Sequence, residues 1–153
     1  MDAVVIFASL TGNTEEAAEI VASVLEQEYD IDVEIYDAMQ ADAEDFLDFD
    51  LCFLGSYTYG VDGILPDEML DFYDDLGGLD LSDKVFGVFG SGDHFYEIFC
   101  GAVDTFEEQF IKTGATQAAP SVKFSLAPDE EEDIKQLHEL AHSAVRQWKE
   151  MNE

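Results

Sequence analysis

Three short, unbroken apolar runs, Ala3–Ala8, Leu51–Ser56 and Val85–Gly90, constrain this chain more than any other feature. A strand that shows one face to water alternates polar and apolar residues. A strand without alternation is covered on both faces, as in a parallel sheet sandwiched between helices. Between the runs lie amphipathic stretches. Asn13 to Gln27 places Ala17, Ile20, Val21, Val24 and Leu25 at helical spacing. Pro66 to Leu76 reads as a helix with proline in its first turn. Gly101 to Thr113 gathers Val103, Phe106, Phe110 and Ile111 on one side, with Gly114 after its end. Asp129 to Glu150 closes the chain with acids in its first turn, where the helix dipole favours them. Asp32–Asp37 sets Val33 and Ile35 against acids and reads as a half-exposed edge strand, Thr116–Phe124 as the last strand, and Ala41–Leu47 as a weak additional helix. Strand and helix therefore alternate five times, which predicts a doubly wound α/β fold over a single domain, residues 1–153.

Charge narrows the possible partners. The chain has 36 acids against 6 bases, a formal net of −30, and no Lys or Arg precedes Lys84. Such a surface repels nucleic acid and anionic membranes and steers toward basic protein faces. It also discourages self-association, so a monomer is expected. Part of the surplus fits a high-salt interior, where acidic surfaces keep proteins in solution. No apolar stretch is long enough to span a bilayer, and the immediate start of a core strand predicts no signal peptide. Cys52 and Cys100 sit inside apolar segments and read as buried reduced thiols, which suits a cytoplasmic location.

In an open parallel sheet, ligands bind beyond the carboxyl ends of the strands. After the first strand stands Ser9-Leu10-Thr11-Gly12-Asn13-Thr14, which runs straight into a helix. Hydroxyls, an amide, a permissive glycine and free N–H groups at a helix start make a cradle for a phosphate. The absence of lysine separates it from a nucleoside-triphosphate loop. After the third strand comes Gly55 to Gly63 (Gly-Ser-Tyr-Thr-Tyr-Gly-Val-Asp-Gly), and after the fourth Gly90-Ser91-Gly92-Asp93-His94-Phe95-Tyr96-Glu97. Phe95 stands where a dinucleotide fingerprint needs its third glycine. Both loops offer glycine-permitted backbone beside aromatic rings, so a flat ring system fits between Tyr59 and Tyr96.

With these three loops in place, the chain resembles the short-chain flavodoxins over essentially its whole length. The first loop matches the family's phosphate loop. Gly55 to Gly63 resembles its first flavin loop, and Gly92-Asp93 through Tyr96-Glu97, then Phe99-Cys100-Gly101, its second. The resemblance implies strand order 2-1-3-4-5 and a low-potential one-electron carrier on non-covalent FMN, cycling between semiquinone and hydroquinone. It implies that Ser9, Thr11, Asn13 and Thr14, with backbone N–H groups around Leu10 and Gly12, hold the phosphate. Tyr59 and Tyr96 flank the ring within loops that include Ser56, Tyr57, Thr58, Ser91, Gly92 and Phe99. The peptide at Gly60 turns its carbonyl toward N5 on reduction, and backbone groups of Asp93 and Cys100 bond the pyrimidine edge. Implied partners are NADP reductases of the ferredoxin/flavodoxin kind and pyruvate oxidoreductases. Tyr59 stands where many members carry Trp, and Val61 where an acid is frequent.

Other readings compete. His138-Glu139-Leu140-Ala141-His142 spells a zinc-protease pattern. The apolar face of this helix is Ile134, Leu137, Ala141, Ala144, Val145 and Trp148, so both histidines are expected to face water. Val145 and Trp148 also stand where the extended pattern needs Gly and a third His. The run Asp129–Asp133 reads as a solvated helix start. A phosphorylated receiver domain needs acids where Ser9 and Ser56 stand. The main rival is an FMN-dependent quinone-type reductase on the same fold, because fold alone does not set function.

Overall fold

The computed structural model describes residues 1–9, 12–58, 65–92 and 100–152. The strands are β1 (Asp2–Ala8), β2 (Asp32–Asp37), β3 (Leu51–Ser56), β4 (Val85–Gly92), β5 (Thr116–Gln117) and β6 (Val122–Ser125). The helices are α1 (Asn13–Tyr29), α2 (Leu70–Gly77), α3 (Gly101–Lys112) and α4 (Glu131–Met151). All pairings are parallel, in the order β2-β1-β3-β4-β5, and β6 also pairs with β4. This is the expected doubly wound sheet.

The apolar runs behave as continuous burial requires. Along β1, Ala3, Val5 and Phe7 point into one core beside Val21, Leu25, Leu140 and Val145 of α1 and α4. Val4, Ile6 and Ala8 point into the other, beside Phe72, Phe106 and Phe110 of α2 and α3. Phenylalanine dominates this second layer. Phe86 stacks on Phe110 at 4.7 Å between ring centroids, and Phe46 meets Phe110 at 5.3 Å. Such pairs add about 0.5–1.5 kcal/mol beyond the area they bury.

The last strand departs from the expected Thr116–Phe124. It is two pieces, β5 beside Val85 and Phe86 and β6 beside Phe89 to Gly92. Pro120 lies in the gap and has no N–H to give to a ladder. A side chain spans the interruption instead: the Glu107 carboxylate of α3 accepts from Gln117 Nε2 at 2.6 Å and from Ser121 Oγ at 2.7 Å. Pro66 does not open an α-helix directly. A 3-10 turn at Asp67–Met69 comes first, and α2 follows. Ala41–Leu47 is likewise a 3-10 segment, Ala43–Asp48, with a reciprocal cap between Asp42 and Asp45. β4 runs two residues beyond Gly90, which carries Ser91 and Gly92 to the carboxyl edge of the sheet.

Candidate functional site

At the carboxyl end of β1 the backbone leaves the sheet through Ser9 and re-enters a helix at Asn13. Gly12 makes the turn with φ of +90°, a conformation that only glycine adopts without strain. Its N–H donates to Ser9 Oγ at 2.9 Å, and its carbonyl accepts from Glu16 N–H at 3.0 Å, closing the first helical turn. The N-cap of α1 is Gly12, which has no side chain to offer the first turn. A helix start carries N–H groups without intrahelical partners, which suits an anion.

The ends of β3 and β4 form the adjoining floor. Ser56 is fully buried and donates its hydroxyl to the Tyr57 carbonyl at 2.9 Å. Thr58 N–H donates to the Ser91 carbonyl at 3.0 Å. Thr14 Oγ1 and Ser91 Oγ lie 3.2 Å apart, both buried. The strand ends approach closely because they are glycines. A Cβ on Gly90 would strike the Ser56 carbonyl and come within 2.6 Å of Val103 Cγ2, and one on Gly92 would meet Cys100 Sγ at 2.8 Å.

Cys100 enters α3 with φ of +53°, unusual for a residue with a side chain. Its thiol points toward the carbonyls of Gly90 at 3.7 Å and Phe124 at 3.8 Å. Burial pushes this thiol up to about 12, with nearby Lys123 opposing. Burial raises Cys52 as well. Both are structural thiols rather than nucleophiles. Cys100 supplies no cap of its own, but Thr58 Oγ1 accepts from Ala102 N–H at 3.1 Å, so the loop after β3 caps the helix after β4.

Of the residues singled out from sequence, Ser9, Gly12, Asn13, Thr14, Ser56, Tyr57, Thr58, Ser91, Gly92 and Cys100 all gather at this end of the sheet. Leu10, Thr11, Tyr59, Gly60, Val61, Asp93, His94, Tyr96 and Phe99 lie outside the described residues. Two features were not legible in sequence: the Thr14–Ser91 contact, which joins residues 77 apart, and the capping of α3 by Thr58. Only the lack of a capping residue before Gly101 hints at the second. The donors present are hydroxyls and backbone N–H groups rather than charges. That set fits a phosphate ester held by neutral contacts, with glycine-lined backbone beside it for a flat ring. By contrast, a groove of about 600 Å³ at the opposite end of the sheet is walled by Asp2, Glu26, Asp30, Asp32 and Glu34. Those carboxylates would repel the same group.

The zinc-protease pattern resolves differently from expectation. His138 is exposed, but the His142 side chain is only 26% exposed and engages α1. Its Nδ1 lies 2.6 Å from Tyr29 Oη, and its Nε2 lies 3.6 Å from Glu28 Oε2. His142 is thus part of the α1–α4 packing, because α1 and α4 cover the same face of the sheet. Among the described residues no group of three His, Cys, Asp or Glu side chains is arranged to hold a metal ion, and no helix is long and apolar enough to cross a membrane.

Comparison with known proteins agrees with this geometry. The flavodoxin family model matches residues 5–139. Probable flavodoxin 2 of Bacillus subtilis is 44% identical over 129 residues, covering 84% of each chain. The flavodoxin structure from Streptococcus pneumoniae TIGR4 superposes with a TM-score of 0.91 at 48% identity, covering 96% of this chain and 99% of that one. A short-chain flavodoxin associated with a bacterial microcompartment superposes equally well, with a TM-score of 0.91 at 43% identity, covering 97% and 99%.

Proposed function

Because the chain belongs to the flavodoxin family, it is an FMN-dependent electron carrier rather than an enzyme, and we propose that it works as a low-potential, one-electron shuttle. When bound, FMN accepts and releases electrons singly; the protein's residues set how tightly it is held and at what potential it works. In this reading Ser9, Thr11, Asn13 and Thr14 would hold the phosphate at the start of α1, whose N-cap is Gly12. Tyr59 and Tyr96 would flank the ring, the Gly60 carbonyl would serve N5, and backbone groups of Asp93 and Cys100 would meet the pyrimidine edge. The observation that carries the assignment is the convergence of the β1, β3 and β4 ends on a neutral, hydroxyl-rich floor beside a helix start whose N-cap is a glycine.

The acid surplus supplies the low potential. A carboxylate about 10 Å from an added negative charge opposes it by about 1.7 kcal/mol at an effective dielectric near 20. For a one-electron couple this corresponds to roughly 70 mV before screening, and salt reduces it over about 8 Å. With a net of −30, several such contributions act together against the second electron. The same field draws the basic faces of partner proteins, of the NADP-reductase and pyruvate-oxidoreductase kinds. A monomer in the cytoplasm completes the reading.

Anaerobic stepwise reduction followed by visible absorption tests it. A long-lived blue one-electron species, bleaching only at very low potential, is the expected course. Direct bleaching in one two-electron step would keep the cofactor and refute the shuttle.

A further inference from the structure

We propose that Ser91 is a positioning residue for the phosphate end of the cofactor, acting through Thr14. This rests on the phosphate assignment above and adds a residue from a different strand to it. Thr14 is the second residue of α1, and it is 1% exposed. It is held from two sides. Its methyl group lies over β3, where the absence of a side chain at Gly55 makes room; a Cβ there would come within 2.8 Å of Thr14 Cγ2. Its hydroxyl meets Ser91 Oγ on β4 at 3.2 Å. A residue fixed in this way sets the direction of the first helical turn, and with it the aim of the N–H groups at the start of α1, whose N-cap is Gly12.

Hydroxyl chemistry adds a second effect. Each hydroxyl has one proton and two acceptor sites. The Thr14–Ser91 contact consumes one of the pair's two protons and leaves the other to donate elsewhere. When Ser91 is the donor, Thr14 keeps its proton and becomes a better donor to an anion, because hydrogen bonds in a chain polarise one another.

Ser91 also separates the two ends of the cofactor site. Its side chain serves the phosphate loop through Thr14, whereas its carbonyl takes the Thr58 N–H of the ring loop at 3.0 Å. Ser91→Ala removes the first link and leaves the second. The loss therefore falls on the phosphate alone, which distinguishes positioning from general loosening of the fold.

The test compares the dissociation constants of FMN and riboflavin, which share the ring and differ in the phosphate, by flavin fluorescence on the apoprotein. Ser91→Ala is expected to weaken FMN about tenfold, the worth of one hydrogen bond to a bound anion's site, and riboflavin less than about twofold. Thr14→Val, which keeps the shape and loses the hydroxyl, should show a selective loss at least as large, because Thr14 also faces the phosphate itself, and adding Ser91→Ala to it should not lower the FMN-to-riboflavin affinity ratio further. Should Ser91→Ala fail to fold, Ser91→Cys, which keeps the shape and weakens the hydrogen bond, reads the same ratio. An unchanged ratio in the Ser91 variant, or a further fall in the ratio when Ser91→Ala is added to Thr14→Val, overturns the role of Ser91. A wild-type chain that takes up neither flavin overturns the site assignment and this inference with it.

Discussion

Gly90→Ala adds one methyl group where β3 and β4 meet at the floor of the site. The new Cβ falls against the Ser56 backbone carbonyl and 2.6 Å from Val103 Cγ2. A flexible side chain could swing aside, but Ser56 belongs to a central strand whose residues are all buried. Overpacking a well-filled core costs about 1–3 kcal/mol, and an immovable backbone obstacle puts this site at or above the upper end. For a domain of this size each kcal/mol moves the melting point about 2–4 °C, so a fall of roughly 10 °C is expected. Two other glycines calibrate the argument. Gly12→Ala meets nothing within 4 Å but must hold φ of +90°, so it costs torsion alone, about 1–2 kcal/mol. Gly78, the C-cap of α2, has φ of −91° and a nearest atom at 3.7 Å, so alanine there stabilises by about 0.4–1 kcal/mol. The assay is thermal unfolding of the apoprotein, which keeps cofactor binding out of the comparison. The expected order of melting points is Gly78→Ala, wild type, Gly12→Ala, Gly90→Ala. A Gly90→Ala protein that melts with the wild type, or above Gly12→Ala, would refute the steric argument.

Two further predictions concern charge. Burial holds the Cys100 thiol up to about 12 and raises Cys52, whereas an unfolded thiol titrates near about 8.5. The folded state therefore binds protons more tightly. Its thiol contribution is intact below about pH 8.5 and is lost as pH rises toward 12, at up to about 1.4 kcal/mol per pH unit for each thiol. Urea midpoints should fall more steeply from pH 8.5 to 10.5 in the wild type than in a variant with both cysteines replaced by serine. Iodoacetamide should leave both thiols unlabelled at pH 8 until the protein unfolds, and rapid labelling of the native chain would contradict their burial. The net of −30 also opposes compaction, and salt shortens the reach of that repulsion to about 3 Å at 1 M. Raising KCl from 0.05 to 1 M, concentrations on the order of those limits, should raise the melting point by several degrees; a flat response would show that the surplus charge is already compensated.

The sequence was most informative where one physical constraint acted alone. Ala3–Ala8, Leu51–Ser56 and Val85–Gly90 had to be double-faced strands because polar residues do not alternate with apolar ones along them, and all three are. The stretch from Ser9 to Thr14 stood out through residue types at a strand-to-helix junction, and β1 does end at Ala8 and α1 begin at Asn13. Legibility failed where two distant segments settle the outcome together. Thr116–Phe124 reads as one strand, and only the fold reveals that Glu107 of a preceding helix bridges its break. His142 reads as solvent-facing from its own helix, but Tyr29 and Glu28 of α1 occupy that side. Thr14 reads as a capping or phosphate-binding hydroxyl, while its side chain meets a hydroxyl on β4. Local periodicity carries no record of such cross-chain contacts.

The broken outer strand also bears on how the sheet ends. An open sheet exposes unpaired N–H and C=O groups along its two margins, and a long straight margin can template another molecule into a fibril. On one margin, β5 and β6 contribute two and four residues with Pro120 between them, too short and too interrupted to receive a partner strand in register. On the other, β2 carries Asp32, Glu34 and Asp37, and a second copy laid along it would bring like charges close together. One margin is guarded by geometry and the other by repulsion, so neither edge of this sheet is a ready template for growth.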